Sequence, residues 1–228
     1  MKRLVQPEIL DTLPPGDPRA IGSRRDLHRI NWWMRNHAIM AGALQSHLPR
    51  APKKITELGA GDGKFLLRVA KKTAPRWLGV QATLLDLQKN VSAETLAALV
   101  KLGWRPETVV ADVFNWPSAN AGDEVVIANL FLHHFEDARL AELLGNISQR
   151  TKLFVAVEPY RFALPELVGR MLWFMGCNEV TRHDAAVSVR AGFEGREISA
   201  LWPDHKNWKL TERRVGLFSH VFIAQRLE

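Results

Sequence analysis

The sequence predicts an α/β fold built on a mostly parallel sheet, and three observations carry that reading. Apolar runs of strand length alternate with helical patterns from about residue 50 nearly to the end. One strand opens directly into three alternate glycines and then a helix. Acidic or amide residues recur where the strands stop. Strands separated by helices pair in parallel, with helices covering both faces of the sheet. The last two runs, Trp208–Val215 and Phe218–Ala224, are joined by Gly216-Leu217 and read as a tight hairpin, so the sheet closes antiparallel.

In chain order, residues 1–23 hold Pro7, Pro14, Pro15, Pro18, Gly16 and Gly22, which deny them a regular interior and predict an extended lead-in. A helix follows, capped by Ser23 and striped by Leu27, Ile30, Met34, Ala38, Ala41, Leu44 and Leu48 until Pro49 stops it. Trp32 and Trp33 cannot both lie on that stripe, so one faces outward, where it can line a pocket. Residues 1–49 thus form an extension and lid helix, and 50–228 the main domain, with a cap-like insertion at about 160–205.

The stretch Lys53–Phe65 opens that domain as a short strand running into Gly59, Gly61 and Gly63 and then into a helix through Leu66, Leu67, Val69 and Ala70. Further strands end at Asp86, Asp112, Asn129 and Glu158; Ser92 caps a helix closed by Gly103, and another helix runs from about Glu136 to Ser148. Thr181 and Asp184 stand at capping-box spacing before a helix that reaches Gly192.

Composition narrows the class. With 46% hydrophobic and 24% charged residues over 228 positions, the chain can bury a sizeable core. The lone Cys177 excludes an intramolecular disulfide and suits a reducing cytoplasm. No Cys/His set has finger-like spacing, so no metal is expected, and neither a leader peptide nor a bilayer-spanning run is expected from these residues. The net charge of +7 is scattered, without basic residues interleaved with aromatics, which makes nucleic acid an unlikely partner.

The strand–glycine–helix turn marks a ligand cradle. Glycine admits positive φ and close backbone approach, and the helix start offers free N–H groups. Open parallel sheets bind ligands at the carboxyl edge of their strands, where Glu57, Asp86, Asp112, Asn129 and Glu158 fall. Alternate glycines differ from the Gly-x-Gly-x-x-Gly of dinucleotide folds. Glu57-Leu-Gly59-Ala-Gly61-Asp-Gly63 and the terminal hairpin together resemble the class I S-adenosylmethionine-dependent methyltransferase family, over roughly residues 50–228. That resemblance implies a Rossmann-like seven-stranded sheet with S-adenosyl-L-methionine as cofactor. It assigns Glu57, Gly59, Ala60, Gly61 and Gly63 to the methionine end, Asp86 and Leu87 to the ribose, Asp112 and Val113 to the adenine, and Asn129 and Leu130 to the wall beside the methionine moiety.

For a hydroxyl acceptor, methyl transfer needs positioning and a base. Histidine suits that task. His133 and His134 follow the fourth strand, but adjacent side chains cannot both face one site, and either can instead pack or cap the next helix. His183 and Glu158 are further candidates, although a lone Glu158 does not make a magnesium site. Arg190 can anchor an anionic acceptor, and Trp33 with Trp173, in the apolar Tyr160–Cys177 stretch, can line a greasy pocket; Cys177 itself reads as packing. The function expected is O-methylation of an aromatic or polyketide-like small molecule. RNA methylation and a non-catalytic cofactor-binding role are the alternatives; the Asn/Asp-Pro-Pro-Tyr/Phe motif of amino-methylating relatives is replaced by Asn129-Leu130-Phe131-Leu132.

Overall fold

The computed structural model describes residues 2–14, 16–116, 123–163 and 166–227. Pro15 and residues 164–165 of the apolar Tyr160–Cys177 stretch lie outside them. In order, the chain forms α1 (Ile9–Thr12), α2 (Pro18–Met34), α3 (Asn36–His47), β1 (Lys54–Leu58), α4 (Lys64–Thr73), β2 (Gln81–Asp86), α5 (Ala93–Lys101), β3 (Arg105–Val110), β4 (Asp123–Asn129), α6 (Asp137–Ser148), β5 (Thr151–Pro159), α7 (Glu166–Phe174), α8 (Glu179–Ala191), α9 (Glu197–Leu201), β6 (Trp208–Val215) and β7 (Ser219–Arg226). Short 3-10 turns at Val113–Asn115 and Leu132–His134 follow β3 and β4.

One seven-stranded sheet runs in the order β3-β2-β1-β4-β5-β7-β6. β1 through β5 pair in parallel and β7 lies antiparallel between β5 and β6, as the sequence predicts. The chain reverses direction across the sheet between β1 and β4, which opens a crevice at their carboxyl ends. α3, α4 and α5 cover one face with Met40, Leu44, Leu66, Val69 and Leu99; α6 and α9 cover the other with Leu140, Leu143, Leu144 and Ile198. On the second face Trp202 packs 5.7 Å from Phe154 and 5.4 Å from Phe222, between ring centroids. α7 and α8 form a smaller cluster with Ile30 of α2, through Val168, Leu172, Cys177 and Val189.

Five local expectations need correction. The helix expected from Ser23 to Leu48 is two helices, because Arg35 adopts φ 57° and breaks the hydrogen-bond ladder between α2 and α3. Asp17 caps the first of them by accepting the Arg19 amide, and Pro18 fits its first position; Ser23 is interior and accepts the Thr181 hydroxyl at 3.0 Å. The lead-in is not simply extended. It contains α1, and Arg3 bonds the carbonyls of Phe135 and Ala191 and the carboxylate of Asp137. Finally, Asn178 rather than Thr181 caps α8, and Asp184 points away to accept the Ile9 and Leu10 amides, so it caps α1 from another element. The hairpin loop also spans 216–218, since Val215 pairs with Ser219.

Candidate functional site

β1 ends at Leu58 and the next turns require glycine. Gly59, Gly61 and Gly63 all have φ between 55° and 73°. A Cβ on Gly59 would lie 2.3 Å from the Phe131 ring, whereas one on Gly61 would meet nothing within 4 Å and project into open space. The turn is tied to β2. Ala60 donates to the Leu85 carbonyl at 3.0 Å, and the Gly61 amide donates to Asp86 Oδ2 at 2.8 Å. Asp86 also accepts the Gln88 amide at 2.9 Å, while Leu87 beside it is exposed. Asp112 accepts the Phe114 amide at 2.9 Å and so caps the 3-10 turn that buries Val113.

Glu57 sits beneath the turn, 2% exposed. Its carboxyl receives the Leu66 amide, but Oε2 has no hydrogen-bond partner among the described residues. Burial, followed by the charges of Asp62 and Asp86, raises its pKa well above the ordinary carboxylate value. A buried carboxylate with a spare oxygen is complementary to a cation.

The wall beyond β4 is strained and braced. Leu130 has φ 51°, rare for a non-glycine residue, and its amide donates to the Val157 carbonyl. Asn129 Oδ1 accepts from Asn36 Nδ2 at 3.0 Å, and Asn36 Oδ1 accepts the Ser219 hydroxyl at 2.8 Å. Asn36 is fully buried and was not legible in the sequence, where it looks like a polar interruption of an apolar stripe. Its neighbour His37 was missed as well. Burial, with Lys72, Arg68 and Arg35 nearby, lowers the His37 pKa, and its Nδ1 is buried without a partner.

The structure separates the four candidate bases. Glu158 is fully buried; Oε1 accepts the Phe131 and Leu132 amides at 3.1 and 2.9 Å, and Oε2 accepts His133 Nδ1 at 2.9 Å. His133 is 3% exposed, with Glu8 Oε1 lying 3.6 Å from Nε2. Burial opposes charge on that ring, yet Glu158 and Glu8 outweigh it and lift His133 to about 9. Packing of its ring and then the charge on His133 drive His134 down to about 4. His183 stands apart on α8, its side chain half exposed and its Nδ1 3.1 Å from Asp184 Oδ1.

His183 and Trp173 do come together, in an open recess of about 490 Å³ lined also by Gly169, Arg170, Phe174 and Arg182. Trp33 and Arg190 are not among its lining. Trp33 packs 5.3 Å from Phe218, and the Arg190 carbonyl accepts the Leu4 amide. Cys177 is buried, and burial pushes its thiol pKa up.

Residues 55–152 match the model of a methyltransferase domain family. A 100-residue stretch is 29% identical to an uncharacterised methyltransferase of Mycobacterium tuberculosis and to one of Mycobacterium bovis, covering 43% of this chain. The match spans 46% of the length of those relatives, so the chain aligns with about half of each. The plantazolicin methyltransferase BpumL, solved with S-adenosylhomocysteine, superposes with TM-score 0.65 at 14% identity over 93% of this chain and 92% of that one. Residues 55–152 are thus similar to a methyltransferase domain, and the chain shares the fold of solved methyltransferases. An O-methyltransferase family protein from Burkholderia thailandensis (TM-score 0.62, 16% identity) and the mitomycin 7-O-methyltransferase MmcR (0.59, 18%) share the fold over 92% and 96% of this chain, each over 60% of its own chain. S-adenosylmethionine is the family's cofactor, and the open turn at Gly61 with the unpartnered Glu57 oxygen fits its cationic amino-acid end. Among the described residues, no helix is long and apolar enough to cross a membrane.

Proposed function

We propose that this protein methylates a hydroxyl oxygen on a small aromatic acceptor. The observation that carries the reading is the left-handed turn at Gly59–Gly63 over a buried carboxylate with a spare oxygen. The cofactor supplies an electrophilic methyl group on a sulfonium. Around it, Glu57 would hold the amino group, the Gly59-Ala60-Gly61 and Gly63 backbone would admit the amino-acid end, and Asp86 with Leu87 would take the ribose. Asp112 and Val113 would flank the adenine, and Asn129 and Leu130 the methionine. These roles rest on the family resemblance and on each residue's place at the carboxyl edge of the sheet.

The chain's own part in the chemistry is to orient the acceptor and remove its proton. His183 is the proposed base. Asp184 orients its ring through Nδ1 and leaves Nε2 as the nitrogen for the hydroxyl proton, the arrangement by which a carboxylate fixes a catalytic histidine. His133 is a weaker choice because Glu158 and Glu8 engage it on both sides. Trp173 and Phe174 would stack an aromatic ring, and Arg170 and Arg182 on the same recess favour an acceptor that also carries an anionic group.

Purified protein mixed with methyl-labelled cofactor and a panel of phenols, aromatic hydroxy-acids and bulk RNA tests this reading. Label is expected on aromatic hydroxy-acids, and His183→Asn should lower kcat with a changed pH profile. Label on RNA alone would transfer the reading to a nucleic-acid enzyme.

A further inference from the structure

We propose that Glu8, His133 and His134 form a binding site for one divalent transition-metal ion of the zinc type, with Glu158 as the outer carboxylate that orients His133. The three residues come from distant parts of the chain, which is why no spacing in the sequence announces them. One ligand atom from each lies within 4.8 Å of the others. The site is independent of the methyl-transfer reading.

The decisive atom is His133 Nε2. It is buried, without a hydrogen-bond partner, on a side chain only 4% exposed. Glu8 Oε1 faces it at 3.6 Å, too far for a hydrogen bond. Two tetrahedral ligands each about 2.1 Å from a zinc ion stand about 3.4 Å apart, so this gap is close to that of a liganded pair. A buried nitrogen would rarely be left unsatisfied for nothing.

The surroundings are those of a metal-binding histidine. His133 Nδ1 lies 2.9 Å from Glu158 Oε2, and in that pairing Nδ1–H donates while Nε2 presents its lone pair, the carboxylate–histidine relay that fixes a ligand's tautomer. Glu158 is itself immobilised by the Phe131 and Leu132 amides. Glu8 accepts the Ser188 hydroxyl, which sets its carboxylate toward the histidines. Contrary to the expectation that adjacent side chains cannot share one site, the 3-10 turn brings the two histidine rings to 4.3 Å between centroids, and His134, the more open to solvent, can close on the ion by side-chain rotation. The ion would displace the proton that Glu8 and Glu158 hold on the His133 ring, and the same two carboxylates then balance a dication.

Two imidazoles and one carboxylate select zinc or a similar borderline ion over magnesium, which prefers oxygen donors. Three protein ligands leave a fourth position for water. The ion would tie the segment before α1 to the 3-10 turn after β4, next to Phe131, whose ring covers Gly59. It would thereby brace the wall beside the cofactor.

The test uses the whole chain, stripped with chelator and then dialysed against zinc, with bound metal measured by atomic emission. One zinc per chain is expected. Glu8→Gln and His134→Ala should each weaken binding at least tenfold, and Glu158→Gln by about 10–100-fold, as outer partners do. Millimolar magnesium should not compete. Because a variant can misfold, cobalt is also added to the native chain, where a strong visible band of tetrahedral cobalt is expected. Substoichiometric zinc, undiminished affinity in both Glu8→Gln and His134→Ala, or no such cobalt band would overturn the proposal and leave the cluster an ion-paired staple.

Discussion

Gly59 and Gly61 offer a pair of substitutions that separate fold from function. Both have positive φ, so alanine at either position incurs left-handed strain of roughly 1–2 kcal/mol. At Gly61 nothing else is lost, because the new Cβ meets no atom within 4 Å. For a domain of this size each kcal/mol moves Tm by about 2–4 °C, so Gly61→Ala should melt about 2–8 °C lower. At Gly59 the methyl would sit 2.3 Å from the Phe131 ring, adding an overpacking cost of about 1–3 kcal/mol and a visibly larger loss. Cofactor binding should rank the other way per unit of stability. Gly61→Ala points its methyl into the space assigned to the cofactor and should weaken S-adenosylhomocysteine at least tenfold, about 1.4 kcal/mol. Scanning calorimetry and isothermal titration on the two variants measure both quantities. If Gly61→Ala bound S-adenosylhomocysteine within twofold of the native chain, the turn would not be the cofactor cradle.

Other expectations follow from the titrating and exposed groups. Glu57 has a raised folded pKa, so its stabilising contribution is full below the ordinary carboxylate range and is lost as pH rises through the raised value; Glu57→Gln should raise Tm of the unliganded protein at neutral pH while weakening S-adenosylhomocysteine, and an unchanged affinity would remove Glu57 from the site. Glu212 is the opposite case. Burial works against its charge, but His220 at 2.8 Å and the Ile198 and Ser199 amides outweigh that, so its folded pKa is lowered and its stabilisation, present above the ordinary carboxylate range, disappears as pH falls through the folded value. Glu212→Ala should destabilise by about 3–5 kcal/mol at neutral pH, much of it the cost of the stranded buried partners, and flatten the acid limb of a Tm-against-pH curve. Trp173→Ala, at a side chain 58% exposed, should leave Tm and S-adenosylhomocysteine affinity unchanged while raising KM for an aromatic acceptor; an unaltered KM would empty the recess of its assigned role.

The sheet and its edge were legible because their signals are local. β4 and β5 are largely apolar runs, the glycines at 59, 61 and 63 each have positive φ, and each of the five parallel strands has an acidic or amide residue at or within two positions of its carboxyl end. What escaped the sequence depends on contacts between distant segments. The break at Arg35 interrupts an unbroken apolar stripe, since the helix bends to put Asn36 against Asn129 and Ser219. Asp184 looked like half of a local capping box but accepts the amides of α1 as well as facing the His183 ring, and no periodicity links α1 to α8. The histidines show the same limit. Sequence offers His133, His134, His183 and Glu158 as equal candidates, and only packing separates the buried His133, held by Glu158 and Glu8, from a half-exposed His183 at a recess. Glu8 sits among prolines and gave no sign of its partners.

The most direct test of the central claim is transfer of a trideuteromethyl group from labelled S-adenosylmethionine to aromatic hydroxy-acids, with the product's attachment point read by mass spectrometry and NMR. An O-methyl ether at the hydroxyl is expected from the native chain, with its formation at subsaturating cofactor reduced in Gly61→Ala. Label on nitrogen or carbon, or tight S-adenosylhomocysteine binding with no hydroxyl acceptor labelled, would contradict it.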